Sequence, residues 1–441
     1  GTYTSQAAIK RGNRKSELLL REAELWSVMA QNNLQYPAEA LDKAWKGVLF
    51  NQFHDILPGS SIARVYDEAR ALYDHILHDV AEVANRAQYA LLQEECGRTV
   101  FNSLSWAREA LVPTGSGYQC VTVPPCGYIS VGDVASKPER PVTVTMDAEG
   151  AVLENACLRA CLNCNGEIIS LLDKRTGRQR IGAPANVLHM YKDVPRLFDA
   201  WDIDSMYEQS PVALEESGTL EIAEDAGWRA GIRVTRKISN SVWTQVISLD
   251  AQSARVDFIT TVDWQEKHRL LKACFPTGIH AEEAINEIQF GYMKRPTHRS
   301  RPYDADRFEV CNHRYTALCD EGQGAAVLND CKYGVSMRDD CIGLTLLRAA
   351  TSPDLHADRG QHTFAYAYYV WNGTWLESDV VREGYAFNVP VTVLPGRGEE
   401  ASLLRVNAKN IIVETVKAAE DGSGDIILRL YECKHAQTQA T

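Results

Sequence analysis

The chain is short of positive charge. Its 46 Lys and Arg stand against 58 Asp and Glu, a formal net charge of −12 with a pI near 5.5. That balance opposes a nucleic-acid or anionic-membrane partner, since both want a basic surface; a neutral sugar fits either sign. Long apolar runs are missing too. The longest, Phe364 to Trp371, has eight residues against the roughly 20 needed to cross a bilayer, so no membrane helix is expected. No basic stretch followed by an apolar one opens the sequence, and no signal peptide is expected. Cysteine is sparse. Twelve in 441 residues are too few for a disulfide scaffold, and free thiols in a reducing, cytoplasmic compartment are the simpler reading. Nucleotide-binding glycine loops are absent, as are internal repeats and low-complexity segments other than the polar tail after Lys434.

What is there reads as an α+β multidomain chain, a three-helix bundle followed by mostly antiparallel β-sandwich domains. Apolar residues at three- and four-residue steps predict helices over Asn13 to Asn32, Ala38 to Phe53 and Ile62 to Glu95, which share a core only by packing as a bundle. From Thr99 the texture changes to short β-branched and aromatic runs such as Gln119–Val123, Val142–Met146, Trp243–Leu249, Val256–Val262 and Phe364–Trp371, separated by Gly, Pro, Asn and Asp. A linker is expected near Lys137-Pro138-Glu139-Arg140-Pro141. The expected domains are 1–97 (helical), 98–140 (small β), 141–395 (large β-sandwich) and 396–441 (C-terminal β segment with tail).

The most informative stretch is Asn51-Gln52-Phe53-His54-Asp55-Ile56-Leu57-Pro58-Gly59-Ser60-Ser61. It sets a His-Asp pair just past an apolar helix, with Pro58 and Gly59 turning the chain. Such a pair is either a satisfied capping arrangement or a metal ligand with a neighbouring polar group. The repeat His78-Asp79 lies in a charged helix and reads as a solvated face; His356-Ala357-Asp358 lies in a loop rich in Pro, Asp and Gly and reads as structural.

The stretch around His54 resembles a signature of glycoside hydrolase family 38, the retaining α-mannosidases. Further stretches resemble the family in its own order. Gly1-Thr2-Tyr3-Thr4-Ser5-Gln6, with Lys10-Arg11 and Asn13-Arg14, looks like the start of its middle domain, and Phe101-Asn102-Ser103-Leu104-Ser105-Trp106 like the opening of its first β domain. Leu153-Glu154-Asn155, Leu158-Arg159, Gly166-Glu167-Ile168 and Ser170-Leu171-Leu172-Asp173-Lys174 look like the first strands of the large β domain. Asp199-Ala200-Trp201-Asp202-Ile203-Asp204, Glu266-Lys267-His268-Arg269-Leu270-Leu271-Lys272, Arg295-Pro296-Thr297-His298-Arg299 and Leu328-Asn329-Asp330-Cys331-Lys332-Tyr333-Gly334 follow. The pattern is nearer to the bacterial and cytosolic or vacuolar branch than to the secreted one.

The resemblance implies that His54 binds an active-site divalent cation, zinc first with cobalt as the alternative, and that Asp55 touches the sugar. It places His313 and Arg314 where a β-domain loop reaches toward the sugar site. It also implies an N-terminal α/β barrel that supplies the nucleophile, a His-x-Asp pair of metal ligands and the general acid. A retaining glycosidase needs two carboxyl groups roughly 5–5.5 Å apart, and no acidic pair here has that support. The expectation is therefore the middle and C-terminal portion of a metal-dependent α-mannosidase acting on mannose-containing oligosaccharides, inactive by itself, with the barrel as its partner. The bundle end would then expose Phe53, Ile56 and Leu57, which makes a homo-oligomer an open expectation.

Other residues carry paired readings. Lys294, Arg295, His298, Arg299 and Arg301 could hold an anion or form an ion-pair rim. Trp201 with Asp202 and Asp204 could be a sugar platform or a packed corner with local caps. Cys157, Cys161 and Cys164 include a Cys-x-x-Cys spacing, yet alternation along a strand points 164 away from 157 and 161. Asn372-Gly373-Thr374 is a glycosylation sequon, idle in a cytosol. The alternative function is a non-catalytic carbohydrate-binding or structural β-sandwich. A His-Asp phosphohydrolase is the third reading, and it would need ligands beyond His75 and His78 on the third helix.

Overall fold

The fold was obtained as a computed structural model, which describes residues 1–214 and 217–441. The chain is α+β: helices near the N-terminus, then antiparallel β-sheets. It divides into two compact units. The first joins Gly1–Arg11, His54–Asp67 and Pro138–Gly384, and the second joins Gly12–Phe53, Glu68–Lys137 and Tyr385–Thr441.

The three long helices are α1 (Ala7–Met29), α2 (Ala38–Asn51) and α3 (Ala63–Tyr89). Within the second unit they meet at close, small-residue contacts. Gly12 of α1 leaves no room for a side chain against the Tyr73 ring of α3, and Gly47 of α2 lies against Ile76. Asn51 donates to the Ala69 carbonyl, and Gln52, just past α2, donates to Asn13 and Glu17 of α1. The same unit holds a four-stranded sheet in the order Thr392–Arg397, Glu94–Asn102, Gly127–Val131, Ala401–Ser402. Trp26 of α1 packs edge-on against Phe101 of that sheet, ring centroids 5.3 Å apart.

Helix ends differ from the periodicity. α3 stops at Tyr89 and Glu94–Asn102 is a strand, because the four-stranded sheet takes up the backbone hydrogen bonds of this segment. α1 begins at Ala7, six residues before Asn13. The cause is a remote cap: the Asp358 carboxylate accepts the backbone N–H groups of Gln6 and Ala7 at 2.7 and 2.6 Å. A carboxylate at a helix N-terminus satisfies free donors and complements the helix dipole, and here it comes from 352 positions away.

The first unit is built on sheets of nine, six and five strands, all antiparallel. The nine-stranded sheet contains Arg229–Ile238, Ser241–Asp250, Arg255–Trp264 and Gly360–Asn372, and the six-stranded sheet contains Val187–Lys192, Arg269–Pro276, Cys341–Arg348 and Gly334–Arg338. Phe258, Tyr366 and Tyr368 of the larger sheet pack on Phe275 of the smaller, with centroids 5.8, 6.0 and 5.3 Å from it, so these two sheets face each other as a sandwich. Inside, Gln245, Tyr366 and Asn186 close a ring of hydrogen bonds at 2.7–2.8 Å. Three polar side chains are thereby buried without an unmet partner among themselves.

Candidate functional site

The loop that carries His54 belongs to the first unit together with the extreme N-terminal segment. Its backbone is fixed from below. The fully buried Tyr66 accepts the Ser61 N–H at 2.6 Å and donates to the Asp55 carbonyl at 3.1 Å. Burial pushes the Tyr66 phenol up to about 12, which keeps it a neutral donor. Lys10 Nζ donates to the Leu57 carbonyl at 2.8 Å and also to the Ser5 carbonyl. Gly59 has φ +93°, and a Cβ there would lie 2.5 Å from the Ser5 carbonyl oxygen, so this turn admits only glycine.

Lys10 itself is buried. Loss of water drives its ammonium down to about 7, against the attraction of Asp358 and with the repulsion of Arg348 and Lys332. Asp354 and Asp358 serve the same base: Asp354 accepts Gln6 Nε2 at 2.8 Å while Asp358 caps α1. Arg348, with no exposure, pairs with Asp193 at 2.7 Å and donates to Ser5 Oγ and to the carbonyls of Asp199, Ala200 and Asp202.

Above this base the side chains face out. His54 is 73% exposed, with Nε2 3.3 Å from an Asp55 carboxylate oxygen. The other Asp55 oxygen accepts Ser60 Oγ at 3.2 Å. The pair offers one imidazole and one carboxylate on a rigid turn, which suits part of a cation's coordination shell. Among the described residues no group of three or more His, Cys, Asp or Glu is placed to hold a metal. A tight site needs about three protein ligands, so His54 and Asp55 fit as contributors to a site completed by other groups.

The other residues singled out in the sequence resolve as follows. Arg314 is clamped on Glu287 at 2.7 Å, with both side chains nearly buried, and its backbone N–H reaches the same carboxylate. His313 stands edge-on to the Tyr333 ring at 5.4 Å. The contacts thus join His54 to Asp55 and hold Arg314 on a different element. Lys294, Arg299 and Arg301 pair with Glu283, Glu208 and Asp304, and Arg295 binds the Cys311 carbonyl, which makes this cluster an ion-pair rim. The Asp202 carbonyl is taken by Arg348 and Asp204 caps the N–H of Met206, the corner reading, while Trp201 stays 45% exposed. Cys157 and Cys164 make separate contacts, with the Gln252 carbonyl and Asn165. Of the three side chains expected at an exposed bundle end, Phe53 is 54% exposed but Ile56 is only 9% exposed and Leu57 is half-buried. The turn at Pro58 folds Ile56 inward. Asp358 is structural, as its loop read in the sequence, but the anchoring roles of Lys10 and Tyr66 escaped the sequence reading, because nothing local distinguishes a loop anchor from an ordinary lysine or tyrosine.

The chain matches three family descriptions in order: the alpha mannosidase middle domain over residues 1–91, the glycosyl hydrolases family 38 C-terminal domain over 153–356, and the family 38 C-terminal beta sandwich domain over 410–441. It is 37% identical to alpha-mannosidase 2C1 of Homo sapiens over 98% of its own length and 44% of that protein's. Against alpha-mannosidase G of Dictyostelium discoideum it is 32% identical, over 98% of this chain and 46% of that one. The chain thus spans less than half the length of these relatives. The crystal structure of an alpha-mannosidase from Enterococcus faecalis V583 superposes with a TM-score of 0.82 at 15% identity, over 98% of this chain and 62% of that one, a likeness of fold. With a middle domain and two C-terminal domains of one family matched in order along it, the chain belongs to glycosyl hydrolase family 38, of which it carries the middle and C-terminal domains.

Proposed function

We propose that the chain is a working portion of a metal-dependent retaining α-mannosidase that hydrolyses terminal α-mannosides of oligosaccharides in the cytoplasm. A barrel domain supplies the nucleophile and general acid. The observation that carries this reading is the contrast in the His54 turn, a backbone pinned by buried groups presenting an exposed imidazole–carboxylate pair. Side chains needed only for packing would be buried; side chains needed only for solubility would not have a rigid seat. His54 would offer one nitrogen to a divalent cation, zinc or cobalt, which would supply Lewis-acid attraction for the sugar's hydroxyls. Asp55 accepts a sugar hydroxyl and keeps the imidazole turned outward, and Ser60 steadies the carboxylate. His313 and Arg314 line the approach of the sugar, Arg314 fixed by Glu287. The twelve free cysteines support the cytoplasmic placement.

In a protein carrying the whole family length, His54→Ala is expected to lose bound metal and activity together. Asp55→Asn keeps the metal and loses activity, by about 10- to 100-fold. Metal analysis alongside nitrophenyl α-mannoside hydrolysis reads both. Full metal occupancy and a near-normal rate in His54→Ala would overturn the ligand assignment. The 441-residue chain alone is expected to show no turnover.

A further inference from the structure

A second reactive feature lies on the six-stranded sheet. Strand Arg269–Pro276 pairs with strand Cys341–Arg348 in a register that sets Cys274 opposite Gly343 and Pro276 opposite Cys341. Residues directly opposite share a face and the face alternates along a strand, so Cys274 and Cys341 point to the same side as diagonal neighbours. Gly343 leaves the gap between them: a Cβ there would lie 3.6 Å from Cys274 Sγ, which leans across toward the neighbouring strand. Each thiol is the neighbour that most perturbs the other's proton affinity. An average diagonal is about 7–8 Å between Cα atoms, at the outer edge of disulfide geometry, and the lean of Cys274 Sγ over Gly343 narrows the reach between the sulfurs. Cys341 opens its strand directly after the turn Asp339-Asp340, where Asp339 has φ 53°, and it is paired with Arg338 on one side and with Pro276, which has no N–H to donate, on the other. Neither residue is fully buried.

We propose that Cys274 and Cys341 form a redox-active thiol pair that closes to a reversible disulfide on exposure to a peroxide. Cys341 is the attacking sulfur. The neighbouring Cys274 thiol and Phe275 backbone N–H hold its proton affinity below that of an ordinary thiol, and Cys274 is held well above. The Cys341 thiolate takes the terminal oxygen of hydrogen peroxide as the O–O bond breaks, giving a sulfenic acid and hydroxide, which leaves as water. Cys274 then attacks the Cys341 sulfur, the S–O bond breaks, and the departing hydroxide carries away the Cys274 proton as a second water. Two thiols lose two electrons and one peroxide becomes two waters. The neighbouring Lys272 ammonium, itself paired to Glu309 at 2.6 Å, favours the thiolate on this face.

The experiment treats the native chain with equimolar hydrogen peroxide, blocks remaining thiols with iodoacetamide, and maps the unreduced peptides by mass. The expected product is a Cys274–Cys341 linked peptide pair, 2 Da below the sum of its parts and released by dithiothreitol. In Cys274→Ser, Cys341 is expected to stop at a sulfenic acid that dimedone labels; in Cys341→Ser, Cys274 stays alkylatable. The proposal is overturned if both residues remain alkylated while other cysteines oxidise, or if Cys341 passes to the sulfinic acid without a linked pair in the wild-type chain. The wild-type map decides even if a variant fails to fold.

Discussion

Two loops of the first unit carry nearly the same residues and use them in opposite ways. In the turn at His54-Asp55 the backbone is gripped from beneath and the side chains face solvent; in the loop at His356-Ala357-Asp358 the carboxylates of Asp354 and Asp358 turn inward to hold Gln6 and Ala7. The second loop is the foundation of the first. Asp358 starts α1, α1 carries Lys10, and Lys10 holds the Leu57 carbonyl. A His-Asp motif therefore has no fixed meaning. What the carboxylate faces, water or a row of buried N–H donors, decides between an exposed polar pair and a cap.

The sharpest way to break this comparison is Asp358→Ala. It strands two buried N–H groups and removes the negative charge facing Lys10, and a loss of about 3–5 kcal/mol in urea unfolding is expected. A loss below about 1 kcal/mol would mean that the loop does not support α1. Tyr66→Phe removes a donor from the Asp55 carbonyl and an acceptor from Ser61, and should cost about 1–2 kcal/mol.

The pH dependence comes next. Lys10 binds its proton less tightly folded, near 7, than at its ordinary value of 10.5. Between those values the unfolded state carries the extra proton, so stability rises with pH over this window, by at most about 1.4 kcal/mol per unit, and is lowest below about 7. Lys10→Met should flatten that slope in unfolding curves taken from pH 7 to 10; an unchanged slope would place the Lys10 ammonium in a wetter setting. The smallest effect separates the loops by their histidines. His54→Ala and His356→Ala should each change stability by under about 0.5 kcal/mol, since both side chains stand at the surface. Only His54→Ala should cost activity in the longer protein.

Much of the architecture was readable from residue patterns. The step of Leu41, Ala44 and Val48 gave α2 its buried face, and the strand run Phe364–Trp371 sits inside Gly360–Asn372. Long periodic segments announce themselves because burial of one face repeats along the chain. The start of α1 did not, because its cap is a carboxylate hundreds of residues away. Ile56 misled for a related reason: beside exposed Phe53 it belongs to the same apolar stretch, and only the turn at Pro58-Gly59 sends it inward. The basic cluster 294–301 was undecidable until Glu208, Glu283 and Asp304 were seen beside it.

By itself the sequence determined the element types and the β-sandwich character, which rest on local spacing, and, through the resemblance of its motifs, the family and His54 with Asp55 as the pair to watch. Only the tertiary structure decided what lies beneath that pair: Lys10, Tyr66, Asp358 and the glycine-only contact of Gly59 with Ser5. It alone also brought Cys274 and Cys341 together across two strands. Burial and strand register depend on which distant segments meet, and no local pattern encodes a neighbour 67 or 352 positions away.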